Sequence, residues 1–396
     1  MRPWKSGLCS RLPETADFQN FRFLDGVTDI APELWDALRP EPDPFTSHAF
    51  LAILEESGSV GGKTGWQPLH LLCGDPARPS GVVPLYAKGH SFGEYVFDQG
   101  WAEAYTRAGG RYYPKLQAAV PFTPVPGPRL LAVDEESRKH LIGGLEDALS
   151  ALGPSSVHVT FCTAEETVWL RERGWLVRRG IQFHWHNRGY QSFDDFLAAL
   201  LSSRRKTIRR ERREVREAGI DIRIRNGDEL APEEVEAFYP FYLATVEKRQ
   251  GGAYLTRRFF RLLGERLGSR LVLVEARRDG ATVAAALHLR GGDTLYGRWW
   301  GAIDDFRFLH FECCYYRAIE FAIANRLARV EAGAQGMHKL LRGYEPVWTW
   351  SAHKFRDPKL SAGVAAFVAR EGMRLEREFA ELRSLLPYAR EAGRTG

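Results

Sequence analysis

The 396-residue sequence predicts an α+β protein built from two similar units. Each unit should contain a mixed, mostly antiparallel sheet flanked by helices, and a C-terminal helix should pack on the body. Three observations predict this fold. Short β-rich runs separated by tight turns occur in both halves, amphipathic helical stretches lie between these runs, and the order strand, strand, loop, helix, strand is found twice.

The second half shows the repeated order most clearly. Three strands are predicted there: LVLVEA from Leu271, ATVAAALHLRG after the turn at Asp279-Gly280, and TLYGRWWG after Gly292-Asp293. Apolar residues then recur at helical spacing in HFECCYYRAIEFAIANR, and the strand RVEAG follows. These elements describe one sheet of antiparallel strands with a helix and a further strand.

The first half repeats the pattern with little sequence identity. The runs PLHLLCGD, GVVPLYAKG and VHVTFCT predict strands, SRKHLIGGLEDALSAL predicts a helix, and WLVRRGIQFHW predicts the last strand. We therefore predict domains at 1–180 and 181–358. Residues 359–396 form a helix and tail, with an apolar stripe from Leu360 to Leu386 at helical spacing.

Composition excludes several classes of protein. A hydrophobic fraction of 44% and a charged fraction of 27% are those of a globular chain, not of a disordered one. The first twenty residues contain no continuous apolar segment, and no uncharged apolar stretch is long enough to span a bilayer. These features predict a cytoplasmic protein without a membrane span.

A strongly basic stretch opens the second half, within a single helix predicted over 193–218. Ser192 suits the N-cap position, and Gly219 suits the end of the helix. Between 204 and 216 there are six more basic than acidic residues, whereas the whole chain carries a net charge of +5. The basic residues are Arg204, Arg205, Lys206, Arg209, Arg210, Arg212, Arg213 and Arg216.

Two interpretations of this stretch remain open. It is either a solvated helix face on which Glu211 and Glu214 pair with arginines three and four residues away, or a binding surface for phosphate. Two acids cannot neutralise eight bases, and arginine suits bidentate contact with phosphate. The partner could be an RNA backbone, a coenzyme pyrophosphate or a nucleotide-linked acceptor.

No metal site is predicted. His184 and His186 lie two apart on one strand and should point to the same face, but two ligands do not make a zinc site. The five cysteines show no CxxC spacing.

Four long motifs, in order along the chain, carry a family resemblance. They are YYPKLQAAVPFTPVPGPRLL, FHWHNRGYQSFDDFL, LHFECCYYRAIEFAI and GAQGMHKLLRGYEP. With them, the chain from about Phe45 to Pro387 resembles bacterial FemAB-like proteins, relatives of the Fem-type aminoacyl transferases. Those proteins contain tandem GNAT-like domains and add amino acids from aminoacyl-tRNA to peptidoglycan precursors.

The resemblance implies an acyltransferase that forms an amide on a small-molecule or peptide amine. We expect aminoacyl-tRNA as the donor, direct attack in a ternary complex, and no tightly bound cofactor. Two alternatives remain: an N-acyltransferase that uses acetyl-CoA or another acyl-CoA, and a non-catalytic protein that binds RNA or a precursor. The usual GNAT pyrophosphate loop is not evident before His310, which counts against a coenzyme A donor.

Acyl transfer to an amine needs a proton acceptor and a positive group near the developing oxyanion. The resemblance places Lys339 in the position of a Fem-type lysine. The acid Glu331 in an apolar strand and the histidines His338 and His353 are the other catalytic candidates. The candidates for substrate binding are Tyr296, Arg298, His310, Glu312, Arg342 and Tyr344.

Tyr296 and Arg298 should share one face of their strand. One residue departs from the family pattern, because Met337 stands where relatives have glutamate. This change indicates either a different substrate or an apolar packing role.

Overall fold

A computed structural model describes residues 21–40, 43–248, 251–333 and 336–389. Its strands, in chain order β1 to β15, are Phe21–Leu24, Trp66–Pro68, His70–Asp75, Arg78–Val83, Leu85–Lys88, Lys115–Ala118, Leu131–Ala132, Ser156–Cys162, Leu176–His186, Asp221–Asn226, Leu271–Arg278, Ala281–Gly291, Thr294–Ala302, Arg329–Glu331 and Glu345–Phe355.

The α-helices, in chain order α1 to α13, are Pro32–Ala37, His48–Glu56, Gln99–Arg107, Glu135–Leu152, Ala164–Glu172, Phe193–Ala198, Ser202–Glu217, Pro232–Glu236, Tyr239–Lys248, Arg257–Leu267, Leu309–Phe311, Arg317–Ala324 and Pro358–Ser384. A π-helical turn, Glu312–Tyr316, joins α11 to α12, and a 3₁₀ turn, Met337–Arg342, lies between β14 and β15. In the described part of the chain, no helix is long and apolar enough to cross a membrane.

The chain divides into two compact units. The first unit extends to Gly180 and includes Thr349–Leu375, whereas the second comprises Ile181–Trp348 and the residues from Glu376. The sequence predicted two contiguous domains, 1–180 and 181–358. The order of the predicted elements does not show that the end of β15 joins the sheet of the first unit.

The first unit contains two sheets. In one, β2, β5, β6, β8 and the end of β15 are neighbours in that order, and the β6–β8 pair is parallel. The other has the order β1, β3, β4, β7. Leu116, Val157 and Leu145 belong to the hydrophobic core that helix α4 covers. Asp134 begins α4 by accepting a hydrogen bond from the Ser137 backbone, as an N-cap residue does.

The second unit contains a sheet in the order β10, β11, β12, β13, β14, β9. Its β13–β14 pair is parallel and the other pairs are antiparallel. The predicted turn before β12 is present, with φ of 50° at Asp279 and 80° at Gly280, as in a type I′ hairpin turn. The apolar face of α12 covers this sheet, with Ile319 and Ala322 fully buried.

The prediction of a single basic helix over 193–218 was wrong, because the structure has two helices there, α6 and α7. Ser192 caps the first as expected, with its hydroxyl accepting the Asp195 N–H at 3.0 Å. Helix α6 then ends before Leu201, whose backbone is extended and whose N–H donates to the Pro387 carbonyl at 2.8 Å. Pairing with the end of the chain therefore interrupts the helix.

Helix α7 is fastened to the second unit by a buried ion pair. Glu211 accepts two hydrogen bonds from Arg342 Nη2, at 2.8 and 3.0 Å, and a third from the Tyr316 hydroxyl. Both charged side chains are more than 90% buried. The expected pairing of Glu211 with arginines of its own helix is therefore replaced by a tertiary contact.

We predict that Glu211→Ala lowers the free energy of unfolding by about 3–5 kcal/mol, because it leaves the buried Arg342 charge without its partner. The matched control is Glu214→Ala, one turn further along the same helix, where the side chain is partly exposed and the expected change is within about 0.5 kcal/mol. Urea unfolding of both variants measures the difference. Equal losses in the two variants would contradict the structural role of this ion pair.

Candidate active site

A polar row crosses three strands of the second unit at the parallel pair. Tyr296 on β13 lies opposite Glu331 on β14, and Glu331 lies opposite His184 on β9. All three side chains are buried. Residues that lie directly opposite each other on neighbouring strands project from the same face of a sheet. This register therefore brings side chains from distant parts of the sequence together.

Glu331 has cationic and imidazole neighbours. Its Oε1 lies 3.3 Å from Arg329 Nε and 3.7 Å from His184 Nδ1. On the other side of the ring, His184 Nε2 lies 3.4 Å from Gln182 Oε1. Burial, together with the positive charges of Arg329 and Lys339, holds the pKa of His184 well below its usual range. The imidazole is therefore neutral near neutral pH and has a nitrogen that can accept a proton.

Lys339 is buried beside this row. It lies on the 3₁₀ turn, and its Nζ donates to the Gly333 carbonyl at 2.7 Å. Its charge helps to lower the pKa of His184 and opposes the rise that burial causes in the pKa of Cys314, so the ammonium group lies within electrostatic reach of both. The sequence candidates Lys339, Glu331 and Tyr296 thus share one region. His184 joins them, although the sequence suggested for it only a rejected metal site.

An aromatic cluster lies beside the 3₁₀ turn. The Nε2 atom of His338 is 2.8 Å from the Tyr315 hydroxyl, and its ring packs on Phe311 and near His310. Burial and the nearby Arg342 and Lys339 charges lower the pKa of His338. His338 is half-buried, so a substrate could reach this histidine.

Other predicted substrate-binding residues have internal partners. Arg342 pairs with Glu211 and also donates to the Tyr316 hydroxyl at 2.9 Å. Glu312 is buried between Arg212 and Arg317, at 3.1 and 2.7 Å. These contacts stabilise the 3₁₀ and π-helical turns.

Three further candidates occupy different surroundings. Tyr344 is fully buried against Tyr315, and burial raises its pKa well above the usual value. Arg298 lies at a β-bulge, because Trp299 pairs with Leu287 and Gly297 with His288, so simple alternation no longer relates Arg298 to Tyr296. His353 belongs to the first unit, on β15, whereas Lys339 belongs to the second.

The cationic surface of α7 is smaller than the sequence suggested. Arg212 turns inward to Glu312 and Glu320, and Arg205 donates to the Leu200 carbonyl. Arg204 is half-buried. The exposed members are Lys206, Arg209, Arg210, Arg213 and Arg216. Contacts of 3.3–3.7 Å join Arg209, Arg210 and Arg213 to nearby acids, and exposed pairs of this kind are weak.

Within the described ranges, no group of three or more histidine, cysteine, aspartate or glutamate side chains is arranged to hold a metal ion. His184 and His186 do lie near each other, with ring centroids 6.4 Å apart. Glu331 lies 3.7 Å from His184, whereas the acid that acts on the pKa of His186 is Glu345.

A family profile described as FemAB-like, peptidoglycan biosynthesis/recognition, matches residues 26–390. The chain belongs to the FemAB-like family. No curated protein matches the FemAB-like chain at a significant level. Family membership and fold together support an acyl- or aminoacyltransferase.

Solved structures are similar to this FemAB-like protein at low identity. FemX is 11% identical with a TM-score of 0.54, over 85% of this chain and 98% of FemX. A conserved protein of unknown function from Bacteroides thetaiotaomicron is 10% identical with a TM-score of 0.50, over 84% and 98%. A tandem GNAT protein from the clavulanic acid biosynthesis pathway is 11% identical with a TM-score of 0.44, over 85% and 98%. The likeness to FemX, together with the family profile, confirms the predicted fold of two GNAT-like units.

We predict that His184→Gln makes the protein less sensitive to acid. As pH falls below about 6.5, the unfolded chain takes up a proton at this histidine while the folded chain does not, so stability drops by up to about 1.4 kcal/mol per pH unit. Urea unfolding between neutral and acidic pH should show a shallower slope for the variant. His140→Gln, at an exposed position, is the control. Parallel slopes for all three proteins would contradict a buried neutral His184.

Proposed function

We propose that this FemAB-like protein transfers an aminoacyl group from aminoacyl-tRNA to an amine acceptor. The observation that carries the proposal is the pairing, in one unit, of a buried Glu331–His184–Lys339 site with a helix whose exposed side is cationic. The first supplies groups that amide formation needs, and the second suits a polyphosphate backbone.

In the proposed reaction the acceptor amine attacks the ester carbonyl that joins the amino acid to the terminal ribose. A carbon–nitrogen bond forms, the ester carbon–oxygen bond breaks, and the ribose hydroxyl leaves with a proton. Neutral His184, beside Glu331, accepts the proton that the amine loses and passes it to the oxygen of the leaving ribose. Lys339 stabilises the negative oxygen of the tetrahedral intermediate.

Gly333 supports the role of Lys339. An ammonium group has three donors, and the bond to the Gly333 carbonyl orients the group next to the end of β14. Met337 is exposed at the start of the same turn, so an apolar packing role does not explain the loss of the family's usual glutamate there. We infer that Met337 faces the acceptor, and a peptidoglycan precursor is the first acceptor to test because of the family description.

We predict that Lys339→Ala lowers kcat by a factor of about 10²–10³, the usual loss when an oxyanion-stabilising donor is removed, with little change in donor affinity. Single-turnover amide formation from charged tRNA measures the rate, and filter binding measures the affinity. Lys359→Ala, at an exposed position on α13, is the control. Unchanged turnover in Lys339→Ala would place this lysine outside the chemistry.

We predict that Arg209→Glu combined with Arg213→Glu weakens tRNA binding at low salt and reduces its salt dependence, because two phosphate contacts are replaced by repulsion. The charge-matched control is Arg370→Glu with Arg383→Glu, both exposed on α13. A mobility-shift titration across a salt series measures both. Equal affinity in the two double variants would contradict the role of α7, and acetyl-CoA binding without a tRNA shift would favour the acyl-CoA alternative.

A further inference from the structure

The larger sheet of the first unit has two buried faces of opposite character. One face contributes only apolar residues to the hydrophobic core, namely Leu85, Ala87, Leu116, Ala118, Val157, Val159 and Ala352. The alternating positions on the same strands are polar or charged, and none is more than 6% exposed. They are Tyr86, Lys88, Lys115, Gln117, Ser156, His158, Thr160, Ser351 and His353.

A buried sheet face is ordinarily apolar, because each buried polar group costs free energy unless it is paired. Here the charged groups pair with a covering segment, residues 91–98. Lys115 Nζ donates to Glu94 at 2.6 Å and also to Asp98, and Lys88 Nζ lies 3.4 Å from Glu94. Each of these charged groups therefore has an oppositely charged partner, and burial lowers the pKa of Lys88 to about 7.

The histidines add no charge to this face. The Nδ1 atoms of His158 and His353 are 2.6 Å apart, and His158 Nε2 is 2.7 Å from the Ser156 hydroxyl. Burial and the charge of Lys115 lower the pKa of His158 to about 3, and burial also keeps the pKa of His353 well below its usual value. Both rings are neutral at neutral pH.

Among the described residues, five buried polar atoms on or above this face have no hydrogen-bond partner, and one of them, Glu94 Oε1, still lies 3.4 Å from the Lys88 ammonium. The other four are Tyr86 Oη, Gln117 Oε1, His353 Nε2 and Asp98 Oδ1. Tyr86 and Gln117 are direct register partners, and Gln117 continues the row to His158 and His353. An unpaired buried polar atom costs about 1–3 kcal/mol, so four of them on one surface indicate a site for something absent from the chain itself.

We propose that this polar face of the first unit binds an uncharged, hydroxyl-rich small molecule such as a sugar. Two of the four atoms, on Gln117 and Asp98, only accept hydrogen bonds, and Tyr86 and His353 can donate or accept. The ligand must therefore bring donors. Because Lys88, Lys115, Glu94 and Asp98 already contact one another, a charged ligand would find no unpaired counter-charge in this buried site. The site is independent of the aminoacyl transfer proposed for the second unit.

A ligand would reach this face by displacing the covering segment, residues 91–98. Tyr95 and Phe97 hold left-handed backbone conformations, with φ of 61° and 57°, which are strained for bulky residues. The neighbouring Phe92 and Phe97 side chains are more than half exposed. Glu94 and Asp98 hold this segment through the buried lysines, and Lys88 also donates to the Phe92 carbonyl at 2.8 Å, so ligand entry requires these contacts to open.

The test compares Tyr86→Phe and Gln117→Met with wild type by thermal unfolding in a series of glucose concentrations. Tyr86→Phe removes only an unpartnered atom, so it should melt at or above the wild-type temperature. Gln117→Met also removes the bond from Gln117 Nε2 to the Thr160 hydroxyl at 2.8 Å, so its own melting temperature without sugar is its reference. We expect glucose to raise the melting temperature of wild type in a saturable manner and to lose that effect in both variants. Tyr105→Phe, whose hydroxyl bonds Asp357 away from this face, should respond as wild type does.

Glucosamine, which differs from glucose by one amine, tests the charge argument and should stabilise less than glucose. A response to glucosamine alone would overturn the choice of an uncharged ligand. An equal, non-saturating rise in all four proteins would reflect general sugar stabilisation and would also overturn the proposal. If neither sugar raises the melting temperature of wild type, the unpaired atoms bind only water and the proposal is overturned. None of these results depends on turnover.

Discussion

The buried pair of Glu211 and Arg342 constrains most of what the second unit can do. Glu211 turns one side of α7 inward, which leaves Lys206, Arg209 and Arg213 facing solvent. Arg342 ends the 3₁₀ turn that carries Lys339, and its Nη1 donates to the His338 carbonyl at 2.8 Å. A single ion pair thus orients both the cationic surface and the turn beside the polar row. Removing one partner would disturb both, since the other charge would remain buried.

The two units place polar residues at the same point of their sheets. In the second unit the row Tyr296, Glu331 and His184 crosses the parallel pair and its antiparallel neighbour. In the first unit Gln117, His158 and His353 occupy the matching register positions. The repeated pattern seen in sequence therefore extends to individual positions. The chemistry differs, since a carboxylate stands in one row where a histidine stands in the other.

Local patterning predicted the strands and helices well, because alternation and helical spacing depend on neighbours in sequence. The break at Leu201 was not predictable in this way, since its partner Pro387 comes from the far end of the chain. The same limit hid His184, whose role depends on pairing between β9 and β14. Alternation also suggests that Lys88 and Lys115 face solvent. The covering segment, with Glu94 and Asp98, and the Trp66 ring over Lys88 make that face interior.

Strand β15 has a consequence for biosynthesis. Its residues from Thr349 onward complete the first unit, although the whole of 181–348 is translated before them. The nascent first unit therefore waits with one edge of β8 unpaired, while His158 lacks the ring that it later contacts. Unpaired edges invite association with other chains, and domains usually fold as they emerge from the ribosome. The first unit can therefore be completed only after the whole of 181–348 has been synthesised.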